Sequence, residues 1–316
     1  MKKIIALLLV LVLVFVGVYG CDDAEPDASI GNPSNNHEED TKKPTEANNH
    51  GAETNPTEKE TEPVPSTTEN EETSIDEMVI YDANDIKITV KGLSESWTGP
   101  EIKVLVENNS EHNIVFSGSD FIVNGITVSG NAYIDVAAGK KSNDTISFYS
   151  SVLEAAGIKD FATIEGVDTY IYDSDSYDDL YTVPFVIKTS IADSYVQEFD
   201  DSGDVLFEES GVKVVGKLLH EEFYGYTVVL FVKNDTGKEI IVSADDISVN
   251  GFTITAWMYD TVFADTVRFC ELTIPESELE DNDITDVENI TFTVEIVDPV
   301  SYDLIVSSGE IEVVVK

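Results

Sequence analysis

Basic side chains are almost missing from this sequence. Eighteen Lys and Arg stand against 62 Asp and Glu in 316 residues, giving a formal charge of −44 at pH 7, and Arg268 is the only arginine. A surface that grips nucleic acid needs clustered Lys and Arg to displace counterions from phosphates. This chain repels polyanions instead, so no nucleic acid is expected as a partner. The acidity fits a soluble, self-repelling surface, or a binding surface for cations or a basic partner. Histidine is scarce too, with four residues. His37 and His50 fall in a polar stretch, and only His112 and His220 fall in sequence with a folding pattern. Nucleophilic catalysis needs a base, usually histidine, beside Ser or Cys, and neither residue belongs to such a motif. No zinc-type cluster or phosphate loop is present. The chain therefore reads as a non-enzyme. Two cysteines, Cys21 and Cys270, make a poor disulfide pair, and Cys270 lies in a strand-like stretch as a small core residue.

Long apolar runs are also lacking. Ile4–Val18 follows Lys2 and Lys3 and is shorter than the roughly 20 residues that a spanning helix needs. It reads as the core of a signal peptide, residues 1–20. The run ends in Val18-Tyr19-Gly20-Cys21, which resembles the lipobox of bacterial lipoproteins. The resemblance implies that Cys21 is diacylated with palmitate-type chains and becomes the mature N-terminus, anchored in the cell membrane and facing the extracellular side. Two acyl chains are what stable anchoring requires.

Aromatic residues are absent from Asp22 to Thr73, a stretch that holds six of the ten prolines. It cannot bury enough apolar surface to offset the entropy of ordering, so residues 21–74 are expected to form a disordered acidic spacer. A flexible coil of that length has a root-mean-square span of roughly 40 Å.

What is abundant comes later, and it comes twice. Asn108-Asn109-Ser110, Asp120 and Val123-Asn124-Gly125-Ile126 return as Asn234-Asp235-Thr236, Asp246 and Val249-Asn250-Gly251-Phe252, at a constant offset of 126 residues. Asn-Gly between alternating apolar arms is the strongest short-range signal for a hairpin with a type I′ turn. Strands are predicted at residues 79–81, 86–91, 101–107, 113–116, 120–123, 126–128, 144–149, 165–172 and 181–187, with turns between. That spacing indicates an antiparallel sandwich. A helical turn starts at Ser151 with a capping-box pattern and ends at Gly157, and it is repeated from Ser277. Leu153 and Ile158, with Leu279 and Ile284, are expected to plug the sandwich ends. Near the end of each copy the offset slips to 125, as a one-residue change in a loop would cause.

The expected fold is all-β: tandem sandwich domains at 75–188 and 201–316, joined by a connector at 189–200. The Asn-Asn/Asp-Ser/Thr, Val-Asn-Gly and Leu-x4-Ile-x-Asp segments resemble those of immunoglobulin-like modules in Gram-positive surface lipoproteins without known activity. The resemblance covers roughly three quarters of the chain and transfers no catalytic residue.

Two loop groups are candidate sites. Trp97 aligns with Phe223 on an inter-strand loop, beside Tyr224 and Tyr226, and such aromatics could stack on sugars or anchor a protein. Asp173, Asp175, Asp178 and Asp179 lie close together in a Ser- and Asp-rich loop that could offer calcium hard oxygen ligands or be simply solvated. The expected partner is an extracellular protein or cell-wall polymer. A structural or sensory envelope lipoprotein with weak calcium binding is the alternative.

Overall fold

A computed structural model describes residues 73–222 and 225–315. The signal peptide, Cys21, nearly all of the spacer, Phe223 and Tyr224 lie outside the described residues.

Alternation of apolar and polar residues sets the strands. β1 (Met78–Ala83) turns at Asn84-Asp85 into β2 (Ile86–Glu95), which pairs with β3 (Pro100–Asn108). β4 (Ile114–Val123) and β5 (Ile126–Val136) form the Asn-Gly hairpin, and β6 (Lys140–Phe148) returns to β3. One sheet therefore runs β1-β2-β3-β6. After α1 (Ser150–Ala155), β7 (Thr163–Gly166) and β8 (Tyr170–Asp173) join the free edge of β4. β9 (Asp179–Thr182) pairs with β8, and β10 (Phe185–Lys188) with β7. Ile88, Val104, Phe116, Phe121, Ile134 and Phe148 lie in one core cluster contributed by both sheets. Phe148 meets Phe121 and Phe161 edge-on at 5.4 and 5.2 Å. Each such side chain taken from water contributes about 1.5–3 kcal/mol.

The second copy follows the same plan. β11 (Asp204–Glu209), β12 (Val212–Glu222), β13 (Gly225–Asn234) and β17 (Val267–Pro275) form one antiparallel sheet. The other is centred on β14 (Ile240–Val249), with β15 (Phe252–Thr253) and β16 (Tyr259–Val262) on one edge. β18 (Asn289–Val297) and then β19 (Leu304–Val314) complete it after α2 (Glu276–Asp281). The chain is all-β in both copies, as the pattern predicts.

Several boundaries differ from expectation. The strands expected at 113–116 and 120–123 are one strand, β4, which begins at Ile114 and is bulged between Gly118 and Asp120. The strand expected at 126–128 runs on to Val136. At Gly130 and Asn131 it pairs with Phe148 and Ser147 of the other sheet, and Trp257 repeats this crossing through Thr273. The offset slip falls in the loop at residues 167–169 of the first copy, as expected. β18 runs straight through where the first copy breaks between Gly166 and Tyr170, and the Thr169 hydroxyl donates to Val183 O at 2.6 Å to hold the break. The capping boxes are unused, since Tyr149 and Pro275 occupy the N-cap positions without a side-chain bond. At the C-terminal end Gly157 takes φ 68° as expected, and Asp283 adopts φ 56° at the matching position. Leu153, Ile158 and Leu279 are buried as plugs.

The repeated asparagines do more than turn the chain. Asn124 and Gly125 have φ 53° and 84°, and Asn250 and Gly251 have 51° and 83°, as a type I′ turn requires. The Asn124 side chain also donates to Asp160 O and accepts from the N–H groups of Ala162 and Thr163. Asn250 does the same with Asp286, Glu288 and Asn289. The Val-Asn-Gly and Leu-x4-Ile-x-Asp segments are therefore stitched together. Asn108 and Asn234, fully buried, donate to carbonyls at Val136 and Val262, and each accepts from the Ser110 or Thr236 two residues on.

The two copies interlock along a shared seam. Val215, Phe231 and Val267 of the second copy belong to the first copy's core cluster, with Phe269 packed against it. Val267 pairs with Ile126 in parallel, and the hydroxyls of Thr127 and Thr266 are 2.8 Å apart.

Candidate functional site

The Trp97 loop is built for display. Gly99 has φ 145°, and a Cβ there would stand 2.4 Å from Phe148 O, so only glycine lets the turn press against β6. Gly225 at the matching position has φ 133°, and a Cβ there would lie 2.0 Å from Ile274 O. Ser96 N–H donates to Gly99 O, and Thr98 O accepts from Ser150 N–H at the start of α1. Trp97 stands on this turn with 97% of its surface in water. Its counterpart Phe223 and neighbouring Tyr224 lie outside the described residues. Tyr226 is not on a loop: it pairs with Ile274 within β13 and packs against the second core.

In the acidic loop the carboxylates bond to the chain's own backbone and side chains. Asp173 Oδ1 accepts the backbone N–H groups of Asp175 and Ser176, and Oδ2 lies 2.6 Å from His112 Nδ1. These bonds hold the Asp173 carboxyl below the usual carboxylate range, with the backbone bond from Asp175 the largest cause. Asp175 accepts from the Asn113 amide. In the second copy Asp298 accepts from Val300 and Ser301 in the same way. Among the described residues no three His, Cys, Asp or Glu gather closely enough to hold a metal ion. The carboxylate of Asp173 shapes a turn, and Asp178 and Asp179 are exposed beside it.

What the turn presents is a tyrosine. Tyr177 N–H donates to Asp173 O, and Tyr302 N–H to Asp298 O. The tyrosines take φ 61° and 59°, a left-handed conformation uncommon for a bulky residue. Ring stacking places Tyr177 against Tyr172 at 6.2 Å, and the Tyr170 ring lies tilted 6.1 Å from Tyr172. Desolvation, then a hydrogen bond with Tyr133, pushes the Tyr172 hydroxyl up to about 12.

Strand register explains the gathering. Across β5, β4, β8 and β9, Asp135, Val115, Tyr172 and Asp179 stand in one row, and Tyr133, Ser117, Tyr170 and Thr182 in the next. These rows face away from the core, yet Val115 is buried among them. The second copy keeps the plan. Thr261, Ile241, Val297 and Leu304 form one row, and Tyr259, Ser243, Glu295 and Ser307 the other. Tyr302 lies close enough to Tyr259 to help raise its hydroxyl, behind desolvation as the main cause. Tyr133 and Tyr177 are 60% and 78% exposed, and Tyr259 and Tyr302 are 62% and 70% exposed. Each copy thus shows a tyrosine face on its outer sheet.

The seam between copies adds a cleft of about 310 Å³, lined by Thr127, Ser129, Val152, Trp257, Tyr259 and Arg268 among others. Arg268 is buried at its edge. Its guanidinium donates to Asp120 and Ser129 of the first copy and to Thr261 O of the second, and Asp260 lies 3.0 Å away. Burial raises the Asp260 carboxyl above its usual range despite the arginine, and raises Glu239 beside Asp168 and Asp120. Cys270, fully buried, has its thiol pushed well up by desolvation, which suits a core residue.

No family model and no curated protein matches this chain. Among solved structures, the YadV chaperone aligns with 73% of this chain and 100% of its own at 9% identity and a TM-score of 0.20. The exo-chitosanase CsxA of Amycolatopsis orientalis aligns over 71% of this chain and 26% of its own, at 11% identity and 0.20. CBD12 from CALX1.2 aligns over 62% of this chain and 72% of its own, at 16% identity and 0.14. Likenesses this weak transfer no ligand or activity.

Sequence reasoning missed Tyr133, Tyr259 and Tyr302 as a set. The signal that could have found them is the offset itself: Tyr133 and Tyr259 are 126 apart, and Tyr177 and Tyr302 are 125 apart.

Proposed function

We propose that this chain is a lipid-anchored, non-enzymatic protein of the extracellular side of a bacterial membrane, whose sandwich repeats bind a protein or envelope polymer. The observation that carries the binding reading is the tyrosine face made twice, at matching positions, with its rings in water. A spacer has no use for such display, and exposed apolar area that recurs marks an interaction surface. The anchor rests on the Lys2-Lys3 start, the apolar run and Cys21. In this reading the acyl chain, the acidic spacer and the paired modules follow one another along the sequence.

The test uses the full chain expressed in a Gram-positive host. Metabolic labelling with an acyl probe should tag the protein, and Cys21→Ala should abolish the tag and release it to the medium. Cross-linking on intact cells should capture a discrete partner that the Tyr177→Ala/Tyr302→Ala variant loses. Unchanged membrane retention in Cys21→Ala, or an identical capture by the tyrosine variant, would overturn the corresponding half of the reading.

A structural or sensory role is the second reading, favoured by the interlocked seam around Arg268. A structural element without a partner would show no tyrosine-dependent capture.

A further inference from the structure

We infer that the tyrosine faces are docking sites for a cationic segment, a lysine- or arginine-bearing peptide, and this rests on the binding reading above. Three observations on the faces favour positive charge. First, carboxylates stand in the same outward rows as the rings. Asp135 and Asp179 end the row that holds Tyr172, and Glu295 lies in the row of Tyr259. Second, the turn that raises Tyr177 also carries the exposed Asp175, Asp178 and Asp179, and the turn under Tyr302 carries Asp303. Third, the rows themselves contain no Lys or Arg, in a chain whose charge is −44.

The chemistry follows from the geometry. An ammonium or guanidinium over a tyrosine ring, within about 6 Å of its centroid, is attracted by the ring's negative face, and a carboxylate alongside completes its coordination. The seam uses such a contact internally, with Lys217 Nζ 6.0 Å from the Phe231 centroid. Stacking on Tyr172 at 6.2 Å already orders the Tyr177 ring, so less side-chain freedom is lost there on binding.

The experiment is fluorescence anisotropy with the full chain in a non-ionic detergent at physiological salt. The probes are a labelled peptide of alternating lysine and serine, its Nε-acetylated form, and a labelled neutral glucan oligosaccharide. The lysine peptide should bind and the other two should not. Tyr133→Ala and Tyr177→Ala should each weaken it about fivefold, the size of one cation–π contact, although neither changes the charge. Val79→Ala, on the opposite sheet, should leave binding unchanged, and circular dichroism should show all variants folded. Equal binding by the tyrosine variants would mean bulk charge alone, which overturns the inference and leaves the binding reading standing. Tyrosine-dependent binding of the acetylated peptide or the glucan would overturn the cationic class while supporting the face as a site. If no probe binds in a tyrosine-dependent way, the cationic inference fails. The binding reading then falls only if the cross-linking in cells is tyrosine-independent as well.

Discussion

Replacing the one arginine should unlock the two copies. Arg268→Met keeps an unbranched apolar stem but deletes the guanidinium that donates to Asp120, Ser129 and Thr261 O. The Asp120 and Asp260 side chains are only 23% and 18% exposed, so two partly buried carboxylates lose their counter-charge. Removing one partner of a buried ion pair costs about 3–5 kcal/mol. For a folded part of this size, each kcal/mol lowers the melting temperature by about 2–4 °C, so a fall of about 6–20 °C is expected at pH 7. The loss has a pH signature. Burial already raises Asp260 in the folded protein, so its unfavourable ionisation grows as pH rises through the folded value and disappears below the unfolded one. The variant's deficit should therefore be greatest at pH 7 and shrink toward pH 4. Thermal and urea melts followed by tryptophan fluorescence are the assay, since Trp257 lines the cleft beside Arg268. The melt should also split into two transitions as the copies uncouple. A loss below about 1 kcal/mol at pH 7, or a deficit that does not change with pH, would refute the clamp.

Other outcomes follow from single contacts. Asn234→Ala removes a fully buried amide that serves Val262 O, Phe263 O, Lys238 O and Thr236, and should cost about 2–4 kcal/mol in a urea melt. Tyr172 should ionise at about 12 in an absorbance titration. Because its folded value is raised, its stabilisation is complete below pH 10 and is lost as pH climbs through 12, and Tyr133→Phe should bring that value down. The Cys270 thiol should resist thiol reagents in native buffer and react fully in denaturant, since it is buried and its thiolate is disfavoured. Millimolar calcium should shift the melting temperature by less than about 1 °C, because Asp173 already accepts from backbone N–H groups. A larger rise that Asp175→Ala abolishes would make the acidic loop a calcium site.

The sequence by itself determined the local and repeated features. Asn-Gly between apolar arms is a turn whatever surrounds it, because both residues must take positive φ, and the constant offset shows that the copies share a plan. Strand periodicity gave the all-β class, and Leu153 and Leu279 were legible as plugs. The boundaries slipped where tertiary pairing overrode local signals, as in β5, which crosses between sheets at Gly130. Only the tertiary structure decided what the asparagines bond to and where the tyrosines meet. Tyr133, Tyr172 and Tyr177 are scattered over three segments, and only the pairing of β5 with β4 and of β4 with β8 brings them together. Period-two reading could not assign Val115 to an outer face, since an apolar residue buried under tyrosines looks like core. Arg268 and Asp120 are 148 residues apart, and nothing local marks either as half of a clamp. Turns and periodicity are set by neighbouring residues, whereas a face or a seam exists only after distant strands choose partners, and that choice is made by burial of the whole chain.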